Sequence, residues 1–144
     1  MRDIIYNRNI MEKDGFYVTV NIRGANVGGV GVTYSAATEF GIVFIAKHPC
    51  EVLQISEAHK VATTGSCGIV KRENGGSSDL SIHTNFSLTG AAYTTLTKSG
   101  TDLNKTNSFL KAGDMLVSTG SGIANDANIN MTIYLKPSNQ GNYR

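Results

Sequence analysis

Tryptophan is absent from the 144 residues, and cysteine and proline occur only twice each. Two cysteines cannot build the disulfide framework of a small secreted scaffold, and the spacing of Cys50 and Cys67 matches no zinc-ligand motif. Both therefore read as small buried apolar residues, with a bridge between them as the lesser alternative. Charge is also scarce: Asp, Glu, Lys and Arg make up 17% of the chain, against about 25% in ordinary domains. The 13 basic residues are scattered among 11 acidic ones, for a net charge of +2. Only Lys71-Arg72 and the Arg2/Arg8 pair form tight basic groups, which is too little to track a phosphate backbone, so no nucleic-acid partner is expected. No apolar run approaches the roughly 20 residues that span a bilayer. The stretch from Met1 to Arg8 also lacks the apolar core of a secretory signal, so the expectation is synthesis in a cytosol and no membrane partner.

What the chain has in quantity is glycine (16 residues) together with Thr, Asn and Ser. Gly, Asn and Ser supply turn conformations and Thr tolerates a half-exposed pleated surface, so this balance suits short strands joined by many turns. The length allows one domain with a core of its own.

Residues 1–14 stand apart, mixing charged and amide side chains with Ile4, Ile5, Tyr6, Ile10 and Met11. They read as an N-terminal arm whose apolar residues need a surface to lie on, with an edge strand of the same domain as the alternative. Residues 15–137 read as the domain and 138–144 as a polar tail. Within the domain, Phe16, Val18, Val20 and Ile22 alternate with Tyr17, Thr19 and Asn21. Near the end, Ile129, Met131, Ile133 and Leu135 alternate with Asn130, Thr132, Tyr134 and Lys136. Each is the pattern of a strand with one buried and one wet face.

The run Phe40–Ala46 is almost continuously apolar and predicts a strand buried on both sides. A weak strand is expected at Val30–Tyr34, a hairpin around Thr63–Ser66, and further strands at Cys50–His59, Leu80–Leu88 and Met115–Thr119. Ala112-Gly113-Asp114 reads as a tight turn whose Asp bonds neighbouring backbone N–H groups. Eight or so short strands with turn signals between them predict an all-β fold, a single antiparallel β-sandwich or jelly-roll-like domain with an extended N-terminal arm.

Chemistry-bearing motifs are sparse. His48, His59 and His83 are isolated in sequence and read as surface or half-buried polar residues, without the His-x-His arrangement of a cupin metal site. Glu51 and Glu57 share a strand. In a regular strand they fall on the same face about 20 Å apart, too far for a glycosidase pair, and only a bulge would put them on opposite faces. The Gly-rich stretch Gly24–Gly31 lacks the following helix that gives a phosphate loop its anion site. Neither Gly65-Ser66-Cys67-Gly68 nor Gly120-Ser121-Gly122 has the spacing of a nucleophile elbow. No catalytic residue, metal or cofactor is expected.

The segment Phe40–Leu135 resembles small β-sandwich structural proteins of tailed bacteriophages, including capsid decoration (cement) proteins. The resemblance rests on the apolar strand Ile42-Val43-Phe44-Ile45-Ala46, on Cys50-Glu51-Val52 leading to Glu57-Ala58-His59, and on the Gly-rich turns. Leu110-Lys111-Ala112-Gly113-Asp114-Met115-Leu116, before a final alternating strand, completes it. It covers about two-thirds of the chain and is one of pattern. It implies a non-enzymatic homotrimer on the exterior of a virion, made in the host cytoplasm, that stabilises a major capsid protein lattice. Ile4, Ile5, Tyr6, Arg8 and Ile10 are the expected assembly contacts of the arm. Residues 1–39 depart from the pattern and leave room for another role, a receptor- or glycan-binding head domain of a tail fibre. A cupin-like enzyme is the third alternative.

Overall fold

The computed structural model describes residues 15–22, 38–123 and 128–138. The arm residues Ile4, Ile5, Tyr6, Arg8 and Ile10, the strand expected at Val30–Tyr34 and residues 139–144 of the tail lie outside the described residues.

Nine strands are described: β1 (Phe16–Ile22), β2 (Thr38–Ile45), β3 (Cys50–His59), β4 (Ser66–Arg72), β5 (Leu80–Ser87), β6 (Leu96–Ser99), β7 (Phe109–Leu110), β8 (Met115–Ser121) and β9 (Ile129–Pro137). They pair in a nested way, β1 with β9, β2 with β8, β3 with β6 and β4 with β5, all antiparallel. A chain paired like this is one long hairpin that has been rolled up. Contacts of β9 with β3 and of β8 with β4 close the roll into two sheets, β1-β9-β3-β6 and β2-β8-β4-β5, with the short β7 on β3. This is a jelly roll, and it bears out the expected all-β sandwich.

The alternating strands behave as their patterns predict. Val20 and Ile22 of β1 and Ile129, Met131, Ile133 and Leu135 of β9 are buried, and they pack with Ile69, Ile82, Phe86 and Leu116 of the other sheet. At about 1.5–3 kcal/mol for each large side chain taken out of water, this shared face is the main source of stability. The Asp114 turn also forms as expected. Gly113 has φ +97°, and the buried Asp114 carboxylate accepts N–H bonds from Lys111 at 2.9 Å and from Asn74 at 3.1 Å. That second bond ties the turn to the loop joining β4 and β5.

Two expectations are corrected. The apolar run at 40–46 is an edge strand, with Ile42 59% and Ile45 55% exposed. Register shifts at Glu39/Gly41 and Ile42/Phe44 disturb its phase against β8, so apolar residues that a regular inner strand would bury are turned outward. The segment Thr63–Ser66 is not a hairpin either. It carries the chain from β3 in one sheet to β4 in the other, and the hairpin is β4–β5, where Arg72 pairs with Asp79 across the loop.

Candidate functional site

β3 decides where most of the chemistry-bearing residues go. Its register against β9 slips between Val52 and Gln54, and the extra residue reverses the inward phase: Cys50 and Val52 are buried before it, Ile55, Glu57 and His59 after it. Glu51 and Glu57 therefore lie on opposite faces, in place of the same face expected of a regular strand. Glu51 faces outward and meets Lys105 at 3.4 Å. Glu57 faces the core, where its Oε2 lies 2.7 Å from Nδ1 of His59, with both side chains no more than 1% exposed.

His59, expected at the surface or half-buried, is instead fully engaged in the interior. Its Nε2 is 3.0 Å from the carbonyl oxygen of Gly90, and since a carbonyl only accepts, Nε2 carries a hydrogen. Glu57 and Nδ1 then share one further proton, so the pair as a whole is neutral, which is what a low-dielectric interior favours. Burial pushes the Glu57 carboxyl above its ordinary range, against the opposing pull of His59. For His59 burial acts downward, but the Gly90 carbonyl and Glu57 outweigh it and hold the imidazole above its ordinary value. Oε1 of Glu57 has no protein partner.

Chemically this pair is a clamp. A general base needs a nitrogen free to reach substrate, and both His59 nitrogens are occupied within the fold. The backbone reinforces the clamp, because Tyr93 N–H bonds the His59 carbonyl at 2.8 Å. Gly90 and Tyr93 both belong to the connection between β5 and β6, which is thus fastened to β3 at two points. Cys67 lies in the same interior with Sγ 3.9 Å from Sδ of Met131, and burial together with Glu57 pushes its thiol up. Cys50 and Cys67 are both free and buried.

The other two histidines stand elsewhere. His83 is half-buried edge-on to Phe86, with ring centroids 4.7 Å apart, and burial lowers its basicity. His48 is exposed. Among the described residues, no group of three or more His, Cys, Asp or Glu side chains is placed to hold a metal ion.

On the surface, a cleft of about 530 Å³ is walled by Phe16, Phe44, Ile45, Pro49 and Pro137, with exposed Lys47 and His48 beside it. Its size falls within the range of ligand pockets, about 300–1,000 Å³. It forms because β1 and β2 are edge strands of different sheets lying along the same side of the sandwich, and the Phe16 and Phe44 rings bridge them at 5.6 Å. Residues 1–14 join the domain here, since Phe16 is both a cleft wall and the first residue of β1.

A second surface was not visible in the spacing of residues. On the outer face of the first sheet, Tyr17 and Tyr134 meet at 4.9 Å between ring centroids. Nearby, Asn130 bonds Asn21 at 3.3 Å and Thr132 bonds Asn130 at 3.3 Å. Tyr17 and Tyr134 come from opposite ends of the chain and are brought opposite each other by the β1–β9 register.

The described residues form an eight-stranded jelly roll with one short added strand, an architecture used by viral capsid, lectin and cupin domains alike. No family model matches the chain, and no curated protein matches it. Among solved structures it is similar to a chain of infectious bursal disease virus strain Gx, at 16% identity and a TM-score of 0.38, with 92% of this chain covered. It is also similar to one of strain Gt, at 15% identity and a TM-score of 0.34, with 89% covered. The match spans 32% of the length of each of those chains.

Proposed function

We propose that this chain is a non-enzymatic structural subunit of a virion, a capsid decoration or cement protein that works by assembling with copies of itself and with a major capsid protein. The observation that carries the reading is the apolar β1–β2 cleft, open at the point where residues 1–14 join the domain. An apolar surface rimmed by polar residues favours being covered by protein, and Ile4, Ile5, Tyr6, Arg8 and Ile10 supply apolar side chains with one cation. The sparse charge and uncharged polar outer face also suit a lattice protein, which must avoid strong repulsion between neighbouring copies. The fully occupied His59 nitrogens offer no reactive group to a substrate.

Mass measurement of the full chain under native conditions tests this reading. The expected species is a homotrimer, and a variant carrying Ile5→Asp and Ile10→Asp should be monomeric with an unchanged β-sheet spectrum. A wild-type chain that stays monomeric at high concentration overturns self-assembly. Location is tested by quantitative mass spectrometry of purified particles, where absence of the chain overturns the virion role.

The alternative, a glycan- or receptor-binding head domain of a fibre, is favoured by the Tyr17–Tyr134 pair beside Asn21, Asn130 and Thr132. Flat aromatic rings beside amides and hydroxyls are the groups that grip a neutral sugar. Glycan binding that is lost in Tyr17→Ala would select this reading.

A further inference from the structure

The β1–β2 cleft and the start of the described chain are adjacent, and their relative direction says what covers the cleft. β1 runs antiparallel to β9 with Phe16 opposite Leu135, so the chain before Phe16 heads past Lys136 towards Pro137, itself a cleft wall. Gly15, at φ +94°, fits here because a side chain would strike the Leu135 carbonyl and the Tyr134 ring. Between this exit and Ile10 stand Glu12, Lys13 and Asp14, three consecutive charges that would be costly to bury against the apolar walls nearest the exit. Extended, the five residues from Ile10 to Gly15 reach about 17 Å, enough to pass from one copy to a neighbour.

The β2 edge beside the cleft is poorly suited to accept an added strand, because its register is broken twice and bulged edges resist backbone pairing. Side chains filling a pocket are the better fit, and the cleft offers Phe44 and the exposed Ile45 to them.

We infer that the N-terminal segment of one copy docks its apolar residues, Ile4, Ile5 and Ile10 among them, into the β1–β2 cleft of a second copy. Each copy gives one arm and receives one, and in the proposed homotrimer such a contact is heterologous and closes as a three-membered ring. This rests on the self-assembly reading and adds to it the receiving surface and the exchange between copies.

Disulfide trapping between full-length chains tests it. Chains carrying Ile5→Cys are mixed with chains carrying Ile45→Cys, both in a Cys50→Ala background that removes the native thiol of the cleft, and oxidised. The expected product is a covalent dimer whose mapped bond joins positions 5 and 45 of different chains. A chain carrying both cysteines that forms the bond only within itself overturns the exchange, because the arm then covers its own cleft. In a parallel measurement, Ile45→Lys, at an already exposed position, should lower the native mass to that of a monomer at concentrations where wild type assembles. If wild type assembles while Ile45→Lys assembles equally well and no 5–45 bond forms, the cleft is not the receiving surface and self-assembly stands through another face. If wild type is monomeric throughout, the inference falls together with the reading it rests on.

Discussion

Glu57 and His59, two residues apart on β3, both point into the core and meet there at 2.7 Å, although the strand's other inward positions are aliphatic or cysteine. The pair fastens the β5–β6 connection to the sheet through Gly90, and each member keeps the other from being an unpaired charge.

Removing one partner should therefore cost more than removing both. Glu57→Ala is expected to destabilise the chain by about 3–5 kcal/mol, because it strands His59 in the interior. The double replacement Glu57→Leu with His59→Phe should cost less than either single alanine variant. Urea unfolding of the four proteins measures this, and a double variant no better than the singles would mean that the pair is not what holds the region.

Stability should fall as pH rises through the neutral range. Glu57 and His59 both have folded values raised above their ordinary ones, 4.5 and 6.5 respectively. For each group the contribution is fully present below the ordinary value and is lost as pH climbs through the raised one. Cys50 adds a further loss in alkali, since its thiol is pushed from 9.0 to about 11 by burial and by Asp114. The urea midpoint of wild type should drop as pH rises above the ordinary values of the two groups, and Glu57→Gln should flatten that slope. A wild-type slope unchanged by the substitution would place the titration elsewhere.

The two faces of β9 should respond very differently to truncation. Ile133 is fully buried, and Ile133→Ala is expected to cost about 2–5 kcal/mol. Thr132, half-buried with a single side-chain bond to Asn130, should lose far less on conversion to alanine. Equal losses would show a different register for the strand.

Gly68 admits no side chain. A Cβ there would lie 2.2 Å from the His83 carbonyl oxygen and 2.2 Å from the Thr84 Cα, both backbone atoms that cannot step aside. It sits where the β4–β5 register slips between Cys67 and Ile69, and the slip is what brings β5 so close. Gly68→Ala should cost at least about 1–3 kcal/mol and speed amide exchange in β4 and β5. Native-like exchange would mean that the strands can separate without loss.

The buried thiols should be silent in the folded protein. Cys50 and Cys67 are 3% and 0% exposed, and the folded chain should react with a thiol reagent only at the rate at which it opens. Two equivalents should react at once in urea. Immediate reaction of either cysteine without denaturant would contradict the packing.

What the sequence by itself determined is whatever depends on near neighbours. The period-two patterns of β1 and β9 assign their buried faces, because side chains alternate across a strand whatever its partner is. The Gly113-Asp114 turn is likewise local, closed by the Asp114 carboxylate on the Lys111 backbone. Tertiary structure alone decided the rest. A slip at Leu53 turns Glu57 and His59 inward, and slips in β2 turn Ile42 and Ile45 outward. Such shifts are set by register against β9 and β8 and leave no mark in the spacing of residues. The nested pairing that joins the first strand to the last is also non-local. It creates the Tyr17–Tyr134 contact and the β1–β2 cleft, because both depend on which distant strands lie side by side in the roll.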